Sequence, residues 1–203
     1  MAFESFRDFV NALDSAGELV HVPQPVATEL EVTEIADREM KKPGGGKALL
    51  FERPTVNGEV SPFPLAINTM GSELRMAMSL RAKSIDAVAA ELGALMKAKP
   101  PTGFREAIKL LGTALDLRHA KPSLVKTGAC KEVVHRFHGA PANSQSPLPT
   151  LLNLPIQKCW PQDGGRFITL PCVVTKDPDT GERNVGMYRM QIFDEQTTGM
   201  HWQ

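Results

Sequence analysis

Three cysteines, one tyrosine and two tryptophans in 203 residues leave little material for several common kinds of protein. Cys130, Cys159 and Cys172 are odd in number and widely spaced, so neither a disulfide framework nor a zinc motif is expected, and reduced thiols are the simplest reading. An excess of either charge is also lacking. Lys+Arg 23 balance Asp+Glu 23, which removes any general electrostatic attraction to nucleic acid or to an anionic membrane. No apolar run approaches the roughly 20 residues that a membrane-spanning helix needs. The opening Met1-Ala-Phe-Glu-Ser-Phe-Arg-Asp8 is acidic and amphipathic, without the basic-then-apolar order of a secretory signal, so a cytoplasmic protein is expected. What is present is ordinary: 42% hydrophobic and 23% charged residues, with 16 Pro and 16 Gly, describe a globular chain rich in loops.

Two halves of different character follow from periodicity. Phe3, Phe6, Phe9, Val10 and Leu13 fall at helical spacing over 3–16, with Gly17 at the C-terminal cap position. Glu18–Val22 reads as a strand closed by Pro23. Thr28-Glu-Leu-Glu31 has the form of a capping box and predicts a helix to about Lys42, ended by Pro43-Gly-Gly-Gly46. Strands are expected over Lys47–Phe51 and Phe63–Asn68, with Asn57-Gly58 as a turn signal between them. Helices are expected over Glu73–Arg81, Ser84–Lys99 and Phe104–Leu115. Beyond about residue 116, Pro122, Pro141, Pro147, Pro149, Pro155, Pro161, Pro171 and Pro178 interrupt the chain too often for long helices. The β-type runs there are Glu132–Arg136, Arg166–Thr175 and Asn184–Phe193, and the hairpin loop Lys176–Glu182 joins the last two. The expected fold class is α+β: an N-terminal α/β layer domain over 1–115, then an incomplete β-domain over 116–203.

Few residues in this pattern carry chemistry. Gly44-Gly-Gly46 lacks the Lys-Ser/Thr and helix that a phosphate cradle requires, and it reads as a helix stop. His135 and His138 have no third ligand nearby. Cys159-Trp-Pro-Gln-Asp-Gly-Gly165 enters a strand without a helix, and structural and functional readings stand level there. The terminal segment is less ordinary. Asn184 is poor strand material, and Arg189 within a strand calls for an anionic partner. Arg offers a fork for carboxylate or phosphate, and the Asn carbonyl suits a hard cation. An edge strand with exposed polar residues accounts for the same pattern equally well. Because 184 and 189 differ by an odd number, a single site using both needs a bulge, and Gly186 is its natural place.

At these residues the chain resembles the UbiD family of carboxy-lyases. The likeness runs through Gly17-Glu-Leu-Val20, Glu31–Asp37, Ala48–Glu52 and Asn68–Ser72. It is densest at Cys159–Gly165, Thr175–Gly181 and Asn184-Val-Gly-Met-Tyr-Arg189. The resemblance implies that the second half belongs to a split β-barrel binding prenylated FMN. It implies reversible non-oxidative decarboxylation of an aromatic or α,β-unsaturated acid, such as a 4-hydroxybenzoate derivative. It places Asn184 as a ligand of a divalent metal, usually Mn²⁺ with K⁺ as a further ion, and Arg189 as the catalytic residue near the substrate carboxylate. It places Met187, Tyr188, Arg189, His201, Trp202 and Gln203 against the flavin, with His201 standing where the family often has Arg. The implied partners are the small acid substrate, a flavin prenyltransferase that supplies the cofactor, and further copies of the full-length chain. Remaining metal ligands and proton-transfer acids fall after position 203 in the family, so an inactive N-terminal fragment is expected. A non-catalytic flavin- or nucleotide-binding split-barrel module is the alternative.

Overall fold

The computed structural model describes residues 3–97, 125–134 and 150–201. The chain divides into two compact units, one made of 1–85 with 149–203 and the other of 86–148. Among the described residues, helices α1 (Phe6–Ser15), α2 (Glu31–Met40), α3 (Glu73–Ser79) and α4 (Ile85–Met96) accompany nine strands. β1 (Leu19–Ala27), β2 (Ala48–Val56), β3 (Glu59–Val60) and β4 (Leu65–Ile67) form one sheet. β5 (Phe167–Ile168), β8 (Met190–Ile192) and β9 (Thr198–Met200) form another, and β6 (Cys172–Lys176) pairs with β7 (Arg183–Met187) alone. The chain is thus of mixed α+β class, and among the described residues the small sheets do not close into a barrel.

α1 starts where Ser5 Oγ accepts a bond from the Asp8 amide, and it ends in a Schellman motif. There the Glu18 amide donates to Leu13 O at 2.8 Å and the Gly17 amide to Asp14 O at 2.9 Å, with Gly17 at φ +68° as its position requires. β1 then runs parallel to β2, with α2 as the crossover between them. Contrary to the sequence reading, β1 continues through Pro23 and Pro25 to Ala27. Among the described residues it pairs only with β2, so its prolines face no second ladder, and the register shift between Val22 and Pro25 absorbs them.

β2 lies between β1 and the pair β3 and β4, and both its faces are buried. Ala48 and Leu50 pack with Phe9, Val10, Leu13 and Leu19. Leu49 and Phe51 pack with Val26, Val32 and Ala36. The period-two alternation of a strand therefore sends successive residues of the uniformly apolar Ala48–Phe51 into two cores, one under α1 and one under α2. Asn57 and Gly58, at φ +53° and +86°, make the expected turn, but it joins β2 to the short β3, which the sequence did not reveal, and the expected strand over Phe63–Asn68 pairs with β2 separately as β4.

Other expectations change. Thr28 does not cap α2: its hydroxyl donates to Thr55 O at 2.9 Å, while Glu31 Oε2 still accepts from the Ala27 amide at 2.8 Å. Leu30 becomes the N-cap, at φ +68°, because its amide is drawn to Lys158 O at 3.0 Å. Residues 129–131 form a short 3₁₀ turn and no strand follows over 132–134. The expected helix Phe104–Leu115 and both His135 and His138 lie outside the described residues. Each of the two long predicted strands divides in two. Arg166–Thr175 breaks at Leu170-Pro171, with Leu170 at φ +60°, and Asn184–Phe193 breaks at Tyr188-Arg189. In both cases the chain leaves one small sheet and joins the other.

Candidate functional site

The hairpin β6–β7 carries the first part of the site. Its register is regular from Lys176↔Arg183 to Cys172↔Met187, with Thr175 opposite Asn184 and Val173 opposite Gly186. The expected bulge at Gly186 is therefore absent, and the irregularity falls two residues later, where β7 gives way to β8. Asn184 is exposed, and its side-chain amide has no hydrogen-bond partner among the described residues. Gly186 follows on the same face. A Cβ there would stand 2.6 Å from Tyr188 Cε2, so the absent side chain makes room for the tyrosine ring beside the Asn184 face. Met187, 69% exposed, lies on the opposite face with Cys172, Val174 and Val185.

Arg189 sits in the crossing between the sheets. Its Nη2 lies 3.5 Å from Asp163 Oδ2, and its guanidinium carbon stands 4.0 Å from the centre of the Phe167 ring on β5. Asp163 also accepts from the Trp160 amide at 3.1 Å, and Gln191 Nε2 donates to Gly164 O at 3.0 Å. The Cys159–Gly165 motif, well separated in sequence, thus meets Arg189 at the end of the Asn184–Arg189 motif and Gln191 just beyond it. This contact was not legible in the sequence, although the unusual helix-free approach to Asp163 marked the right segment. His201 is exposed at the end of β9, and Trp202 and Gln203 lie outside the described residues.

The two halves of the site are brought together only in part. Asn184 and Tyr188 share a face, Arg189 turns to Asp163, and Met187 turns away. One Asn carbonyl with no partner suits one coordination position of a hard cation and cannot hold an ion alone. Among the described residues no group of three or more His, Cys, Asp or Glu is placed to do so. A separate apolar pocket of about 620 Å³ lies between α2 and Cys159-Trp160-Pro161, lined also by Val26, Leu30 and Ile35, and contains none of these residues. No helix among the described residues is long and apolar enough to cross a membrane.

Solved structures of UbiD-class decarboxylases share this fold over part of their length. The vanillic acid decarboxylase of Sedimentibacter hydroxybenzoicus in its open form superimposes with a TM-score of 0.70 at 23% identity, over 98% of this chain and 36% of the other. The UbiD-class enzyme HmfF of Pelotomaculum thermopropionicum, solved with FMN, gives a TM-score of 0.66 at 21% identity, over 97% and 36%. Sequence comparison agrees. Residues 10–96 match the 3-octaprenyl-4-hydroxybenzoate carboxy-lyase N-terminal domain, and 126–203 match the Rift-related domain of the same carboxy-lyase. The chain belongs to the UbiD family. An uncharacterized protein of Archaeoglobus fulgidus is 42% identical over 203 residues, and one of Aquifex aeolicus is 40% identical over 201. The chain spans 38% of the length of each of these relatives.

Proposed function

We propose that the protein is a carboxy-lyase that removes CO₂ reversibly and without net oxidation from an aromatic or α,β-unsaturated acid. The observation that supports this most directly is the placement of Arg189. Its guanidinium is steadied by an aromatic face and one carboxylate, while most of its five donors stay open to a second anion. In this reading Arg189 binds the substrate carboxylate and aligns the bond to be broken. That bond leaves its electron pair on carbon, and a proton replaces CO₂ there. Prenylated FMN, when bound, supplies the electron-accepting chemistry that makes this carbon a tolerable place for the charge. Tyr188, Met187, His201, Trp202 and Gln203 are proposed to contact it, and the Asn184 carbonyl to ligate the Mn²⁺ associated with its phosphate. The prenylated-FMN complex of a dimeric form of HmfF, with a TM-score of 0.65, is consistent with a flavin here.

The working enzyme is proposed to contain more chain than these 203 residues, to assemble from several copies, and to depend on a flavin prenyltransferase for its cofactor. We keep the division into an N-terminal layer over 1–115 and a flavin-binding portion over 116–203, on either side of which the two family matches fall. Expression of the full-length gene with a flavin prenyltransferase, followed by a screen of aromatic acids, tests the reading. Arg189→Ala is expected to abolish turnover and leave flavin bound. Undiminished turnover removes Arg189 from the mechanism, and flavin binding without turnover of any acid favours the non-catalytic module.

A further inference from the structure

The neighbours of Arg189 are fixed before the arginine reaches them. Asp163 is held in its turn twice over: its amide donates to Trp160 O at 3.1 Å, and its Oδ2 accepts from the Trp160 amide at 3.1 Å. The next residue is tied to β8 through Gln191 Nε2 and Gly164 O. A Cβ on Gly164 or Gly165 would approach Gln191 Nε2 to 3.3 Å, so the two glycines let β8 lie close against the turn. Phe167 is set by pairing with Gln191 and by its amide bond to Gln157 O at 3.0 Å. The result is a carboxylate with only 15% of its side chain exposed and a ring face, both standing on backbone that does not depend on Arg189.

We propose that Asp163 is the positioning residue of this site, which with the Phe167 ring preorganises Arg189 for the carboxylate of the substrate. The inference rests on the role given to Arg189 above and extends it to a residue that never touches substrate. A free arginine side chain loses about 2 kcal/mol of rotamer freedom when it is fixed, and a site that fixes it in advance spares the substrate that cost. At 3.5 Å the Asp163 contact is a loose, single-pronged one, unlike a bidentate pair. It holds the guanidinium over the ring and leaves the outer donors free.

The test uses full-length protein loaded with flavin. Asp163→Asn keeps an acceptor for the Trp160 amide and removes the charge. It is expected to lower kcat about 10- to 100-fold while flavin content stays unchanged. Asp163→Glu restores part of the loss. In an Arg189→Ala background, Asp163→Asn adds nothing further. Modification by phenylglyoxal, followed by mass spectrometry, reports on Arg189 without any turnover. Pairing and ring cover protect Arg189, so Asp163→Asn accelerates its labelling several-fold relative to Arg183, exposed at the start of β7. Phe167→Leu releases Arg189 to the reagent as well, and serves if Asp163→Asn does not fold. Wild-type turnover with wild-type labelling in Asp163→Asn overturns the proposal, as do losses that multiply with Arg189→Ala. If Arg189→Ala is itself fully active, the catalytic reading of Arg189 fails and the proposal falls with it; if Arg189→Ala is inactive but Asp163→Asn leaves both labelling and turnover at wild type, only the proposal falls.

Discussion

Among the described residues, Arg75 is the largest side chain that the fold removes wholly from water. Nη1 bonds Glu18 Oε2 at 2.9 Å and Gly46 O at 2.6 Å, Nη2 bonds Gly45 O at 3.2 Å, and Nε has no partner among the described residues. Breaking a buried ion pair by removing one partner costs about 3–5 kcal/mol, far more than the intact pair contributes. Arg75→Ala should therefore shift the urea midpoint sharply downward, and a midpoint within error of wild type would refute this account of the network. The same cluster explains what the glycine run does. It ends a helix, as the sequence indicated, but a Cβ on Gly45 would collide with Gly71 O and one on Gly46 with Glu39 O. Gly71 comes from elsewhere in the chain, so local spacing revealed the stop and hid that close approach. Two titrating groups give stability opposite slopes with pH. The bond from Lys47, then that from Arg75, lowers the Glu18 pKa despite partial burial, so its contribution is present above the ordinary carboxylate range and lost as pH falls through the lowered value. His21 lies between Glu52 Oε1 at 2.8 Å and Asp14 Oδ1 at 3.3 Å, chiefly the former raising its pKa. Its contribution is complete below about 6.5 and is lost as pH rises through the raised value. His21→Gln should flatten the thermal midpoint between about pH 6 and 8 relative to wild type, the range in which a histidine changes charge, and parallel curves would show that the cluster contributes nothing.

At the scale of elements, the βαβ layer was legible and the β-domain was legible only as strand-rich. The Phe3–Leu13 periodicity, Gly17, Asn57-Gly58 and the Ala48–Phe51 run each state a local preference that the tertiary structure then obeys. The failures share a cause. Leu170-Pro171 and Tyr188-Arg189 read as strand interior because Leu, Tyr and their neighbours suit a pleated surface, while passing from one sheet to another is decided by pairing with distant strands. The Thr28 capping box failed for a similar reason, since Thr55 and Lys158 compete for its atoms. Gly186 makes the switch at Tyr188 testable. Its ladder is regular and its φ is not positive, so alanine fits the strand but displaces the tyrosine ring that stands 2.6 Å from the new Cβ. Gly186→Ala in full-length protein should reduce flavin content with little change in thermal midpoint. Normal flavin content would mean that the Tyr188 position does not matter to the cofactor.

For the whole molecule, the 38% span of the longer relatives and the surface of the β6–β7 hairpin bear on the same point. Cys172 stands opposite Met187 and Val174 opposite Val185, all on one face of a two-stranded ribbon. Val174, Val185 and Met187 are 61%, 56% and 69% exposed, and Leu170, shortly before β6, is 71% exposed. An isolated hairpin is marginal in water, and a contiguous apolar face of this kind associates or binds apolar dyes. These 203 residues expressed on their own should therefore bind anilinonaphthalene sulfonate in native buffer and self-associate with rising concentration. The double substitution Val174→Thr and Val185→Thr keeps β-branched residues in the ladder and should suppress both effects, with stability altered by no more than about 0.5 kcal/mol. The same polypeptide should show no decarboxylase activity and less than one flavin per chain, because on the proposed assignment it supplies one metal ligand, Asn184, and no carboxylic acid to protonate the product carbon. Stoichiometric flavin absorbance co-purifying with the 203 residues, together with turnover of an aromatic acid, would show instead that the residues described above suffice. Dye binding that survives the double substitution would move the sticky surface elsewhere, the exposed Trp160 beside the apolar pocket being the next place to test.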